Sequence, residues 1–530
     1  MSQWTKWRRQ SLRGLALMIV VGAMPGCGTV LHVANVPGKD AVSANQGVLM
    51  LSVTSNSPRS GQFDSVVLER VDQTAGFTIR YQLNQVSKGL ARDTALYVGA
   101  VPAGSYKIAR FNVGYPGVPG SIFVELNPAA QDRIGRLNVK PGETQDLGRL
   151  VVTNLSGGVL VGRSELIKSN VELVKRFATD AAMYAEHVNG SGWDSRRDPA
   201  DRTEEFALET PAGANALCEL SSGEVVAASR VGSILVRNWV GKWRRIGIDG
   251  LESLLWLKPV EEPGNRLVAV GEFNTIVKVG EDWIPQRLSA GNLPPGNLIY
   301  VDGNSKVGWY VALSTRNKVT IYRADSIDKG DWKPVRAADV SYSMWNGASN
   351  FWAWPTAEGF GYALSNGELH WFNFSSGNWT QTSAPERRRI SDVQPSPNGA
   401  LGLLSSPGGG LGGFFAGVHF TLDRGKSWQT IDSPFKVNEK APVLLASGAL
   451  LMQGSALSEK DLYYRAQSSD AWTKMSANVY ISEQLVELPT TGLFAIDDGS
   501  TASGYASIRR SIDDGRTWQI EYSNFVKRNK

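Results

Sequence analysis

The chain is predicted to be all-β, with an N-terminal β-sandwich, a short linking helix and a C-terminal seven-bladed β-propeller. Three observations predict this. Tryptophans preceded by turn-like residues recur at Trp243, Trp283, Trp332, Trp379, Trp428, Trp472 and Trp518, with gaps of 40, 49, 47, 49, 44 and 46 residues. A self-similar period in the forties is the length of four short strands with their turns, one propeller blade. Upstream, residues 46–154 hold short runs rich in branched and aromatic residues at 48–53, 65–69, 77–81, 95–98, 106–111, 121–125 and 149–152, which suit a two-sheet sandwich. Between the two β regions, apolar residues repeat at spacings of three and four.

Two copies of the tryptophan repeat are nearly complete: Thr421-Leu-Asp423-Arg-Gly425-Lys-Ser427-Trp428 and Ser511-Ile-Asp513-Asp-Gly515-Arg-Thr517-Trp518. The aspartate can accept from the amides of a tight turn, the glycine supplies a positive φ, and the hydroxyl closes the turn. The tryptophan then opens the next strand and places a large ring between blades. The other copies, ending at Trp243, Trp283, Trp332, Trp379 and Trp472, keep the turn and the indole without the full set. Strands are legible around them: 254–257, 266–270 and 275–279 precede Trp283, with the fourth strand after it. The pattern resembles the Asp-box, or BNR repeat, of sialidase-like β-propellers. That resemblance implies a structural role for Asp423, Gly425, Trp428, Asp513, Gly515 and Trp518, on turns away from the ligand face.

The front of the chain is predicted to be an export signal. Lys6, Arg8, Arg9 and Arg13 precede an apolar run over 14–24, about half the length needed to cross a bilayer. Met24-Pro-Gly-Cys27 follows and resembles the lipobox of bacterial lipoproteins, which implies acylation of Cys27, loss of residues 1–26 and a lipid anchor in the membrane. Gly28 in place of Asp points by the same resemblance to the outer membrane. An ordinary secretory signal and a twin-arginine signal at Arg8-Arg9 are the alternatives. The four basic residues that leave with the signal reduce 55 basic side chains to 51 against 50 acidic ones. The mature protein is therefore close to neutral, and no nucleic-acid partner is implied. With Cys27 acylated, Cys218 has no disulfide partner and reads as a buried strand thiol.

The expected organisation is signal 1–26, tether 27–45, sandwich 46–155, helical linker 156–203 and propeller 204–526. Val101-Pro-Ala-Gly-Ser-Tyr106 and Val139-Lys-Pro-Gly-Glu143 resemble carboxypeptidase-regulatory-like and transthyretin-type sandwiches. In the linker, Ser169-Asn-Val-Glu172 reads as a capping box. The helix it opens carries Val171, Val174, Ala178, Ala181, Ala185 and Val188 on one face and ends at Asn189-Gly190. An early segment could also lend a strand to the last blade.

No catalytic constellation is nominated. The Phe/Tyr-Arg-Ile-Pro segment of resembling sialidases is absent, and no pair of carboxylates can be singled out. His32, His187, His370 and His419 lack ligand spacing, so no metal or other cofactor is expected. The glycine run 407–413, with Gly408, Gly409 and Gly410 at its centre, reads as a hairpin tip and a candidate contact loop. Trp345, Phe351, Trp352, Trp354, Phe360, Tyr362, Trp371 and Phe372 crowd one blade; burial between blades is expected, and an aromatic platform for sugars is the alternative. The functional expectation is a lipid-anchored envelope protein whose propeller docks a protein or peptide. A glycan-binding or glycoside-hydrolysing protein is the second reading.

Overall fold

A computed structural model of the chain describes residues 29–56, 63–72, 77–113, 122–155, 158–340, 350–406, 417–435, 440–454, 461–475, 484–498 and 505–525. Seven four-stranded antiparallel sheets follow one another at 216–247, 254–288, 297–339, 351–383, 389–431, 443–475 and 484–523, numbered here as blades 1 to 7. In each blade the strand order in space is the order in sequence. The inner strands are apolar on both faces: in blade 2, Leu267, Val268, Ala269 and Val270 are all buried. Continuous rather than alternating apolar runs are what a sheet covered on both sides requires.

What covers those faces is the neighbouring blade. Val226, Ala228, Ile234 and Val236 of blade 1 pack with Leu254, Leu257, Ala269 and Val277 of blade 2, and Trp283 joins them. The same arrangement recurs around the ring. Trp332 belongs to the core between blades 2 and 3, Trp379 to that between 3 and 4, and Trp428 to that between 4 and 5. Trp472, Trp518 and Trp243 complete the series at the 5/6, 6/7 and 7/1 junctions. Each indole therefore wedges its own blade against the preceding one. Two also bond across the junction: Trp428 Nε1 donates to the carbonyl of Ser383 at 3.2 Å and Trp472 Nε1 to that of Asp432 at 2.7 Å.

The complete repeat turns have one geometry. In blade 5, Thr421 Oγ1 accepts from the Gly425 amide at 2.9 Å, and Asp423 accepts from the Ser427 amide at 2.8 Å and from its hydroxyl. Blade 7 repeats this with Ser511, Asp513, Gly515 and Thr517. The glycines sit at φ 74° and 84°, where any Cβ is strained.

Among the described residues no strand is exchanged to close the ring, since the four strands of blade 7 all come from 484–523. Closure rests instead on the core shared by blades 7 and 1 and on polar locks across it. Arg237 makes a two-pronged pair with Glu521 at 2.6 and 2.7 Å, and both are buried. Thr490 donates to Glu219, and Tyr522 Oη donates to the Pro211 carbonyl at 2.6 Å.

The N-terminal sandwich has one sheet of β1 (Thr29–Val33), β4 (Thr78–Asn84), β3 (Phe63–Arg70), β6 (Gly104–Val113) and β7 (Ile122–Glu125), with β8 (Leu137–Val139) on β6. The second is β10 (Gly158–Arg163), β9 (Thr144–Leu155), β2 (Gln46–Ser55) and β5 (Thr94–Pro102), with β11 (Val188–Gly190) on β9. Their shared core includes Leu49, Leu51, Phe63, Val66, Tyr97 and Phe111. The helix α1 (Pro128–Ile134) lies between β7 and β8, capped by Asn127.

Five differences from the sequence reading follow from the fold. The stretch read as a tether over 27–45 is not free from residue 29 onward: Thr29–Val33 pairs with β4 in parallel register, and Ala34 enters the core. The linker contributes β10 and β11 to the second sheet, because short edge strands carry too few residues to show alternation. The single helix expected after Ser169 breaks at Ala178 (φ −133°, ψ 58°) into α2 (Val171–Phe177), a 3₁₀ turn and α3 (Ala182–Ala185). Its apolar stripe, Val174, Ala178, Ala181 and Ala185, is still buried on Val48, Met50 and Val98, but the break lets Phe177 meet Phe273 of the propeller at 4.8 Å. The capping box does not form: Ser169 donates its hydroxyl to Asp146 and accepts only from the Val171 amide at 3.2 Å, and Asn170, which takes the cap position, gives its side-chain amide to Asp146. Finally, residues 204–215 are not blade. The helix α4 (Thr203–Glu209) packs on β9 and β10, and Asn56 grips the Ala207 and Thr210 carbonyls and the Ala212 amide at 2.7–3.2 Å.

Trp332 is 2% exposed, so Trp332→Ala is expected to destabilise the protein by about 3–5 kcal/mol in denaturant unfolding, whereas truncation of the solvent-facing Trp239 changes stability by less than about 0.5 kcal/mol. Arg237→Ala leaves Glu521 buried against the far weaker Arg510 contact at 3.8 Å. A loss of about 3–5 kcal/mol is expected, with proteolytic nicking near the 7/1 junction.

Candidate binding faces

A four-stranded meander puts its first and third hairpins on one side of the ring, and its second hairpin and outgoing connection on the other. The sandwich sits on the latter side, over blades 1 to 3. Two adjacent second hairpins hold it, Arg230-Val231-Gly232 in blade 1 and Glu272-Phe273-Asn274 in blade 2, both three-residue turns whose last two residues have left-handed backbone. Val231 has φ 46° and Phe273 φ 49°. Gly or Asn is the unstrained choice at such places, and a side chain there costs about 1–3 kcal/mol. Burial offsets it: Val231 packs with Val151, Ala207 and Leu251, and Phe273 with the α2 and α3 cluster.

The charged residue before each turn completes the joint. Glu272 accepts from the amides of Arg92 at 2.6 Å, Asp93, Thr94 at 3.2 Å and Ser253 at 3.1 Å, and from the Thr94 hydroxyl at 2.9 Å. Arg230 pairs with Asp93 at 3.1 Å. Burial and the Asp93 carboxylate push Glu272 upward in pKa. Beside it, buried Arg149 of β9 pairs with Glu252 at 3.0 Å, and Arg287 meets the other oxygen at 3.1 Å. Against burial, which would raise it, Arg149 and Arg287 hold Glu252 at about 2.

The opposite face carries no other part of the described chain. Its third-hairpin turns present large apolar side chains to solvent: Trp239 at 88% exposure, Ile512 at 78%, and Val240, Ile284 and Leu422. Two adjoining hollows open among its hairpins in blades 1 to 3. The larger, about 410 Å³, is walled by Leu220, Ser222, Pro259, Glu261, Arg266 and Glu281. The smaller, about 90 Å³, adds Lys278, Trp309, Asp325 and Asp328 and shares Val260, Glu262 and Asn265 with it. Their charges are mostly engaged locally: Arg266 pairs with Glu224 at 2.9 Å and Lys278 with Asp328 at 3.3 Å. Trp283 lies beneath the guanidinium groups of Arg244 and Arg266 at 5.1 and 4.8 Å.

The other sequence candidates distribute as follows. Cys27 and Gly408, Gly409 and Gly410 lie outside the described residues, as does Trp345. Ser406 and Gly417, the strand ends flanking the glycine run, belong to the second and third strands of blade 5. Phe360, Tyr362, Trp354, Trp371 and Phe372 are buried between blades 3, 4 and 5. Cys218 sits half-buried in the first strand of blade 1, where burial pushes its thiol up. His370 is stacked on Tyr362 and bonded to Arg336 and Glu368. His419 lies 2.9 Å from Ser405 Oγ and 3.0 Å from Thr430 Oγ1. Burial, first of all, lowers both histidines in pKa. Among the described residues no three His, Cys, Asp or Glu side chains gather as a metal site would need. Glu272-Phe273-Asn274 is legible in the sequence as a turn, but the docking role of the two turns escaped sequence reasoning, although an apolar residue at a turn position of positive φ is a readable signal.

No family model matches the chain, and no curated protein matches it. Solved structures with some likeness include a streptogramin B lyase, 9% identical with a TM-score of 0.36, covering 54% of this chain and 91% of that one. A catalytically inactive virginiamycin B lyase from Staphylococcus aureus with quinupristin is 12% identical (TM-score 0.38), covering 54% and 92%. YCF48 bound to D1 peptide is 13% identical (TM-score 0.39), covering 54% and 89%. Likeness at that level says nothing of what this chain binds.

The sign of one pH effect follows from Glu252. Its folded pKa of about 2 lies below the ordinary 4.5, so its contribution is complete above pH 4.5 and is lost as pH falls through 2. The stability gap between the native protein and Glu252→Gln is expected to be of order 3 kcal/mol at pH 7 and to shrink steadily below pH 4.5 in urea titrations.

Proposed function

We propose that this chain is a non-catalytic, lipid-anchored binding protein of the bacterial outer membrane whose propeller docks a protein or peptide. Acylation at Cys27, within Met24-Pro-Gly-Cys27, supplies the anchor, and the complete turns around Asp423 and Asp513 make the ring one of the Asp-box type. The sandwich fills the second-hairpin side of blades 1 to 3, so the partner meets the opposite face; this is the face that carries the repeat turns at Asp423 and Asp513, not the one that the Asp-box resemblance and the candidate loop at Gly408, Gly409 and Gly410 implied.

The observation that carries this reading is Trp239, almost wholly in solvent at a hairpin tip beside exposed Val240, with Ile284, Leu422 and Ile512 exposed at the equivalent turns of blades 2, 5 and 7. Exposed aromatic and aliphatic anchors around a rigid rim suit protein docking, where a few such residues carry most of the affinity. The hollows beside them give an extended segment somewhere to lie. A flat, exposed indole also fits a sugar ring, and that favours glycan binding as the second reading.

A photo-crosslinking residue placed at Ile512 of the full chain in intact cells is expected to capture a discrete envelope protein, and Trp239→Ala is expected to cut the yield at least tenfold. Absence of any adduct, with Trp239-dependent binding on a glycan array, would instead establish the glycan reading. Mass spectrometry of the mature protein checks the anchor: acyl mass on Cys27 is expected, and Cys27→Ser removes it.

A further inference from the structure

The strand β1, Thr-Val-Leu-His-Val, is exposed at all five positions and is paired along one edge only. Natural sheets guard such edges with charge, proline or a covering segment; β1 holds no charged residue or proline, and no segment among the described residues pairs with its other edge. Its partner is β4, with Thr29 opposite Thr78. Phe77 therefore stands beside the point where the chain enters β1. Val30, Leu31 and Phe77 are exposed, and Val33 is 62% exposed. His32 is stacked on Tyr81 at 5.3 Å.

The length of chain ahead of this strand selects what covers it. Gly28 alone separates Cys27 from Thr29, so at most about 7 Å of backbone joins the acylation site to the strand. Acyl chains on Cys27 would hold the sandwich by this edge, with no slack to turn it away from the bilayer. We propose that the β1 edge, with Val30, Leu31, Val33 and Phe77, lies against the lipid surface and fixes the orientation of the whole protein on the membrane. The inference rests on the anchoring reading above and adds that the anchored domain itself touches lipid.

The test uses the acylated mature protein in phosphatidylethanolamine and phosphatidylglycerol vesicles. A polarity-sensitive dye is attached at Val33→Cys, with Ile512→Cys as the distant control, both in a Cys218→Ala background. A blue-shifted emission quenched at least twofold by brominated lipid is expected at position 33 and not at 512. Hydrogen exchange on the otherwise unaltered acylated protein is a second readout: residues 29–33 and 77–81 are expected to be protected on vesicles relative to the soluble Cys27→Ser chain. An acylated, vesicle-held protein in which position 33 is as accessible as 512 overturns this inference alone. A mature chain without acyl mass overturns the anchoring reading together with it. Crosslinks between copies through position 33, without lipid quenching, overturn it in favour of edge pairing between two molecules.

Discussion

Every blade is a thin sheet with two apolar faces, and no blade can bury both of them by itself. That constraint governs the structure. Each inter-blade core draws residues from two blades, and the first blade must find the last. The fourth-strand indoles answer the geometry of a ring, because blades diverge outward and the widening gap needs the largest side chain. Where repeat turns lost their carboxylate and hydroxyls, the tryptophan was kept, which separates the two roles: hydrogen bonds shape the turn, and the ring joins the blades.

The joint between sandwich and propeller obeys a different rule. It buries charge: Arg149, Glu252, Glu272, Asp93 and Arg230 leave water together. Desolvating such groups is costly and a buried ion pair adds little net stability, yet its geometry admits only one register. Paired with two strained turns whose side chains insert into the sandwich, it makes a fixed docking rather than a flexible hinge. One sector of the ring is thus occupied by the protein's own domain, while the opposite rim is clear of the other described residues.

Much of the architecture was legible in the spacing of Trp243 to Trp518, because a closed repeat imposes its period on the chain whatever it binds. Burial of the blade 4 aromatics was legible too, since Phe360 and Tyr362 sit in strands that need cover on both faces. The helix after Ser169 was legible as an apolar stripe but not as a broken one, for the break serves Phe273, nearly 100 residues downstream. The β1 strand was unreadable, because five residues at a sheet edge show no periodicity.

By itself, then, the sequence determined the number of blades, the order of domains and the chemistry of the repeat turns, all of which depend on local pattern and period. Tertiary structure alone decided which face of blades 1 to 3 is covered, how the described blades close the ring on one another, and that the domain edge begins at Thr29, two residues after Cys27. Those outcomes depend on pairings such as Arg149 with Glu252 and Arg237 with Glu521. Groups so far apart along the chain leave no mark on local periodicity, because only the assembled fold brings them within reach.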